Sequence, residues 1–271
     1  MKKNKIEFIG KSLLIDNSIL VIGDLHLGYE GSLHKSGILI KTDLYEQTIK
    51  DLGEIFDYIK NKNYVEKKGR IKKSLKSSGG DNSSESDGGA VERKVVNKVI
   101  ILGDLKHEFG SILREEWKEI LELIDYLKEK TKELIIVKGN HDIFTDKIIK
   151  KKELRVVDYY LWEEFAFLHG DRDFREIYGA TIKRWIIGHG HPAIVLEEKR
   201  GIKKEKYKCF LVGKYRNKEI VILPSFFPLV EGTDVRSYNL GLAWNFEFEE
   251  FKVKIVGEEL NVFDFGKLER I

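Results

Sequence analysis

Residues 99–107 read Val99-Ile100-Ile101-Leu102-Gly103-Asp104-Leu105-Lys106-His107, and the fold can be worked outward from them. Four aliphatic residues closed by a glycine read as a short strand buried on both faces. A carboxylate placed just after such a strand is held at its C-terminal end, where open α/β sheets collect their ligands. The glycine lets the backbone turn sharply and approach a bound group closely.

The same order recurs along the chain. Ser18-Ile19-Leu20-Val21-Ile22 precedes Gly23-Asp24-Leu25-His26, and Leu134-Ile135-Ile136-Val137 precedes Gly139-Asn140-His141-Asp142. Phe165-Ala166-Phe167-Leu168 leads into His169-Gly170-Asp171, and Trp185-Ile186-Ile187 into Gly188-His189-Gly190-His191. Six of the seven histidines fall in these clusters. A lone histidine beside a strand is usually structural. Imidazole, carboxylate and amide oxygen repeated in this way are the donors that divalent first-row metals take in hydrolytic sites, so the pattern points to a metal centre.

Helical spacing covers the sheet on either side of residues 99–107. Thr42 to Lys60 places Leu44, Ile49, Leu52, Ile55, Phe56 and Ile59 on one stripe, and Ile112 to Lys130 does the same with Trp117, Ile120, Leu121, Ile124 and Leu127. A shorter helix is expected after Asp142. Past His191 the reading turns to strands at Cys209–Tyr215, Glu219–Leu223 and Trp244–Ile255. Between about Lys67 and Arg93 a run rich in Ser, Gly and charge offers little to bury, which reads as a flexible low-complexity insertion. The rest, residues 1–271, is expected to be a single domain.

Hydrophobic residues make up 42% and charged ones 34%, enough for a large core under a charged surface. No run of about 18 apolar residues occurs, so no membrane span is expected. The start lacks an apolar signal core, and the single Cys209 excludes an internal disulfide. A cytoplasmic protein is the expectation. The net charge of +3 is too small to argue for nucleic acid, and the basic runs 67–73 and 199–204 read as solvated loops.

The series Asp24-x-His26, Gly103-Asp104, Gly139-Asn140-His141-Asp142, His169-Gly170 and Gly188-His189-Gly190-His191 resembles the five-motif signature of the calcineurin-like metallophosphoesterases. The longer strings Gly23-Asp24-Leu25-His26-Leu27-Gly28-Tyr29-Glu30 and 103–109 are similar to the ICC-like phosphoesterases, relatives of bacterial ligase-associated DNA-repair phosphoesterases. The resemblance implies an α/β fold, a four-layer αββα sandwich of two mixed sheets flanked by helices. It implies two divalent metal ions, with Asp24, His26 and His191 on one, Asn140, His169 and His189 on the other, and Asp104 bridging both. Manganese (Mn2+) is the ion expected to serve best, and Fe2+, Zn2+ and Ni2+ suit the same donors. A hydroxide bridging the ions would attack phosphorus, and His141, left over from the ligand set, would be the general acid or a phosphate contact, with Asp142 orienting it.

The activity so implied is hydrolysis of phosphate esters, with a phosphodiesterase or nuclease favoured and DNA or RNA as partner. Two alternatives stand beside it: a phosphomonoesterase of small molecules or nucleotides, and a non-catalytic scaffold of the same fold. The presence of His141 and all seven expected ligands argues against the scaffold. Several residues stay open at this level. His107 reads equally as a support for a ligand or as structural, and Glu30 as a helix cap or a site neighbour. Asp171 stands where many relatives carry a histidine, His34 reads as surface, and Phe226-Phe227 as packing or as a base platform.

Overall fold

The computed structural model of the chain describes residues 4–39, 43–77, 94–107, 114–142, 150–197, 203–237 and 239–271. Two mixed β-sheets lie at its centre. In the first, β1 (Ile6–Ile9), β2 (Ser12–Ile15) and β3 (Ile19–Ile22) form an antiparallel meander. β3 then continues in parallel through β4 (Val96–Leu102), β5 (Thr131–Val137) and β6 (Arg155–Val157). The second sheet has a parallel centre, β8 (Phe165–Leu168), β9 (Arg184–Ile187) and β12 (Lys218–Ile222). Antiparallel neighbours β7 (Tyr159–Trp162) and β11 (Lys204–Tyr215) flank that centre. β10 (Pro192–Glu197), β13 (Thr233–Asp234), β14 (Lys252–Val256) and β15 (Val262–Lys267) complete it.

Three apolar layers hold the sheets in place. Between them Val21, Ile100, Leu102 and Val137 of the first sheet meet Phe165, Phe167, Ile186 and Val221 of the second. The opposite face of the first sheet carries Leu20, Ile101 and Ile136, covered by α2 (Leu44–Ser77) and α3 (Arg114–Lys130) through Leu52, Ile55, Phe56, Ile120 and Ile124. These are the stripes expected from the spacing. Strands that alternate between two buried faces explain why β3, β4 and β5 end in unbroken aliphatic runs.

The outer face of the second sheet is covered differently. Trp185, Ile187 and Leu211 pack under Ile177, Trp244 and Phe251, which lie on loops and short 3-10 turns rather than on α-helices. The strand expected across Trp244–Ile255 is present only as β14. Trp244, Phe246 and Phe248 instead pack as rings on one another and on Trp185. Those rings supply the apolar cover of this face of the sheet.

α2 continues to Ser77, well past Lys60 and into the segment read as a flexible insertion, because Lys, Arg, Glu and Leu are good helix formers. Residues 78–93, the basic run at 199–204, and the helix expected after Asp142 lie wholly or largely outside the described residues. Among the described residues no helix is long and apolar enough to cross a membrane.

Cys209 sits fully buried in β11, and burial pushes its thiol up from the ordinary range. The folded protein is therefore expected to be silent toward an aromatic disulfide reagent at about pH 8, where exposed thiols react. Denaturation should then release one thiol. Prompt reaction before denaturation would contradict the packing of this strand.

Candidate metal centre

Parallel strands place their C-terminal ends on one side, and here the ends of both sheets converge. β3, β4 and β5 stop at Ile22, Leu102 and Val137, while β8 and β9 stop at Leu168 and Ile187. The loops that follow carry Asp24, His26, Asp104, Asn140, His141, His169, His189 and His191. Backbone bonds zip the first two loops together beyond their strands: Asp24 N–H donates to Gly103 O, His26 N–H to Asp104 O and His107 N–H to Leu27 O.

Asp24, His26, Asp104 and His191 present donor atoms within 4.8 Å of one another, as do Asp104, His169 and His189. Asp104 belongs to both groups. Asn140 adds its Oδ1 at 2.9 Å from His169 Nε2. His191 Nε2 lies 3.3 Å from both His26 Nε2 and Asp24 Oδ1, and His189 Nδ1 lies 3.0 Å from His169 Nε2. All seven residues expected as ligands are thus brought together, in two groups that share one carboxylate.

The chemistry of these contacts calls for positive charge. His169 Nδ1 lies 2.7 Å from Leu102 O. A carbonyl only accepts, so Nδ1 carries a proton and Nε2 is the atom turned toward Asn140 Oδ1 and Asp104 Oδ1. Burial lowers this imidazole, but the carboxylates of Asp24 and Asp104 outweigh it and hold the ring above its usual range. Burial holds His26 well below the usual imidazole range, with His191 adding to the effect, and burial also lowers His189. His26 and His189 held neutral beside two buried carboxylates crowd lone pairs together, and cations among them would relieve the repulsion. The residues fit such ions.

The two carboxylates respond oppositely to the same enclosure. Burial pushes Asp24 up, but His191, His169 and His26 together outweigh it and hold the group at about 2. Asp104 is pushed up to about 7 by burial, with Asp24 and Asp142 reinforcing the shift and His169 opposing it.

His141 stands beside Asp104: its backbone N–H donates to Asp104 Oδ1 at 3.0 Å, and its Nε2 lies 3.9 Å from Asp104 Oδ2. Its Nδ1 donates to the backbone oxygen of His107 at 2.5 Å, which fixes the tautomer and turns Nε2 toward the centre. Burial lowers this imidazole to about 4, against the pull of that carbonyl. Asp142 is buried and accepts the backbone N–H groups of Leu105 and Gly139 at 3.0 and 2.9 Å. Its carboxylate therefore ties the 103–107 loop to the 139–142 loop.

The open residues now have places. Glu30 accepts the N–H of Leu44 at 2.5 Å and so caps the start of α2. His34 is exposed on α1 (Tyr29–Lys35). Phe226 is fully buried beneath Lys11, and Phe227 packs against His26 and Tyr29 with ring centres 5.9 and 5.0 Å away. Sequence reasoning passed over Ser225, whose hydroxyl donates to Asp24 O. It also passed over the Leu102 and His107 carbonyls, which carry no side-chain signal at all.

Five of the gathered residues have left-handed backbones: Asp24 (φ 56), His26 (φ 48), Asp104 (φ 47), His189 (φ 61) and His191 (φ 41). Such conformations strain any residue with a Cβ and concentrate at functional sites. Gly139 is needed for space instead, since a Cβ there would lie 2.2 Å from Asp104 Oδ1.

A family model described as calcineurin-like phosphoesterase matches residues 18–257. No curated protein matches the chain. Among solved structures, a nuclease MPE from Pseudomonas putida aligns with a TM-score of 0.55 and 17% identity, over 97% of this chain and 100% of that one, a likeness of fold. A single mutant of Vps29 from Entamoeba histolytica aligns with a TM-score of 0.36 and 13% identity, over 92% of this chain and 99% of that one, too weakly to decide anything.

The strain is measurable without any ion. In the presence of a chelator, His26→Gly should unfold at a higher temperature than His26→Ala, because glycine accepts a φ of 48 at no steric cost. A difference of about 1 kcal/mol corresponds to roughly 2–4 °C for a domain of this size. Equal melting temperatures would show that the backbone there is unstrained.

Proposed function

The chain belongs to the calcineurin-like phosphoesterase family, and from that premise we propose that it is a phosphodiesterase acting on nucleic acid through two divalent cations. The observation that carries this reading is the pair of donor groups sharing Asp104. Asp24, His26, Asp104 and His191 would hold one ion, and Asp104, Asn140, His169 and His189 the other, with manganese favoured. When bound, the ions would supply Lewis-acid polarisation of the phosphate and a water of lowered pKa as the attacking group.

The chain's own residues account for the rest. Six neutral or singly charged donors around one shared carboxylate leave the centre net positive once ions are present, which favours an anionic ester and the charge that builds up during displacement. His141 is the general acid, with Asp142 fixing the loop that presents it. Because its Nδ1–H is committed to the His107 carbonyl, Nε2 is the atom that meets substrate. The anionic phosphate raises the basicity that burial alone depresses, so Nε2 holds its proton in the complex and delivers it to the departing oxygen. Leu102 O and His107 O keep the His169 and His141 rings in register for these tasks.

With manganese bound, the enzyme is expected to turn over bis-p-nitrophenyl phosphate faster than the monoester and to cleave single-stranded DNA. Faster monoester turnover with DNA left intact would instead identify a phosphomonoesterase.

His141→Ala should lower turnover by about two orders of magnitude or more, while elemental analysis finds the metal content unchanged. A parallel loss of metal would make His141 a ligand.

Affinity for Mn2+ should rise as pH is raised through the neutral range, because an ion must displace the protons that Asp104 and His169 retain at lower pH. Calorimetric titration at several pH values reads this directly. An affinity independent of pH would show that neither Asp104 nor His169 gives up a proton to the ion.

A further inference from the structure

Arg172 follows directly on the His169-Gly170-Asp171 loop, and its guanidinium borders a cleft of about 290 Å³ that also contains Lys138, Asn140, Asp142, Asp158 and Asp171. The cleft therefore opens from the Asn140 side of the metal centre. Arg172 is half exposed. Its Nε lies 3.3 Å from Asp171 Oδ2 and its Nη2 lies 3.8 Å from Asp158 Oδ1. Among the described residues neither ion pair is closed by a hydrogen bond, so two carboxylates aim the guanidinium loosely, and it lies over the Phe174 ring with its central carbon 5.8 Å from the ring centre. Arg184, by contrast, is held by Asn4 O, Glu164 and Glu219, and Arg155 donates to Glu133 at 2.9 Å.

A planar fork held only by loose, exposed ion pairs beside an anion-processing centre suits a phosphate. Exposed ion pairs of this length are weak, so a phosphate can replace them at little cost. Asp171 also acts electrostatically on His169 and His189. A cation held by those histidines would offset its charge, Asp142 is satisfied by the backbone N–H groups of Leu105 and Gly139, and Arg172 and Lys138 are the positive groups of the cleft.

We infer that this cleft is a subsite for a neighbouring phosphodiester of a polynucleotide, with Arg172 as its main contact and Lys138 as support. The inference rests on the nucleic-acid diesterase reading above and names the residue that lets the site prefer a polymer to a small diester. Bis-p-nitrophenyl phosphate has only the scissile phosphate and cannot reach Arg172 with a second one.

The test compares wild type, Arg172→Gln and Arg172→Lys, all manganese-loaded and matched for melting temperature and metal content. Each is assayed on a single-stranded oligodeoxynucleotide and on bis-p-nitrophenyl phosphate. Loss of a charge-assisted contact should lower the ratio of kcat/KM for oligonucleotide over small diester roughly tenfold in Arg172→Gln. The salt dependence of oligonucleotide KM should become shallower by about one phosphate contact. Arg172→Lys should recover part of the ratio, since it retains charge but not the fork. An unchanged ratio in Arg172→Gln, whether both activities fall together or neither falls, overturns the subsite. Wild type that cleaves the small diester but not the oligonucleotide overturns the nuclease reading and the subsite with it. Wild type that cleaves neither overturns the proposed function itself.

Discussion

Everything at the centre of this molecule depends on a negative charge held out of water. Asp104 is 2% exposed, stands at the seam between two sheets and contributes to both donor groups. A buried carboxylate among lone pairs is stable only if protonated or if positive charge lies beside it. The surrounding features follow from keeping that carboxylate in place: a backbone N–H from His141, a loop cross-tied by Asp142, and glycine at 139 because nothing larger fits.

Holding the donors there imposes local strain that the rest of the fold must absorb. Asp24, His26, Asp104, His189 and His191 all adopt left-handed backbones. These turns persist because the strands before them are locked between buried layers, and because the loops after them are pinned. Ser225, Phe226 and Phe227 bond to the carbonyls of Gly23 and Asp24, while Lys11 fastens the same segment through Phe226 O. A rigid scaffold of this kind sets donor positions before any ligand arrives, which lowers the ordering cost of binding.

The family match and the geometry bear on different questions. Membership fixes the class of chemistry. The side chains of this chain bear on which atoms do what, and here backbone carbonyls matter as much as titratable groups. Leu102 O and His107 O each accept from a histidine Nδ1, and in doing so they decide which ring nitrogen faces the centre. Leu102 would attract no attention as a functional residue, and its side chain indeed serves only the core.

The division of the donors between two ions came from the family resemblance, while the sequence by itself determined the strand, glycine and donor order and the covering helices on one sheet. These are local facts: aliphatic runs, periodicity and residue type are visible without knowing what packs against what. It could not show that Asp142 ties two loops through their backbone, that Glu30 caps α2, or that Asp158 and Asp171 aim Arg172. It also misread Trp244–Phe251 as strand, where rings stacked on Trp185 cover the second sheet instead. Those outcomes were decided only by tertiary structure, because each depends on atoms from distant segments arriving within a few ångströms, and neither propensity nor spacing encodes the partner.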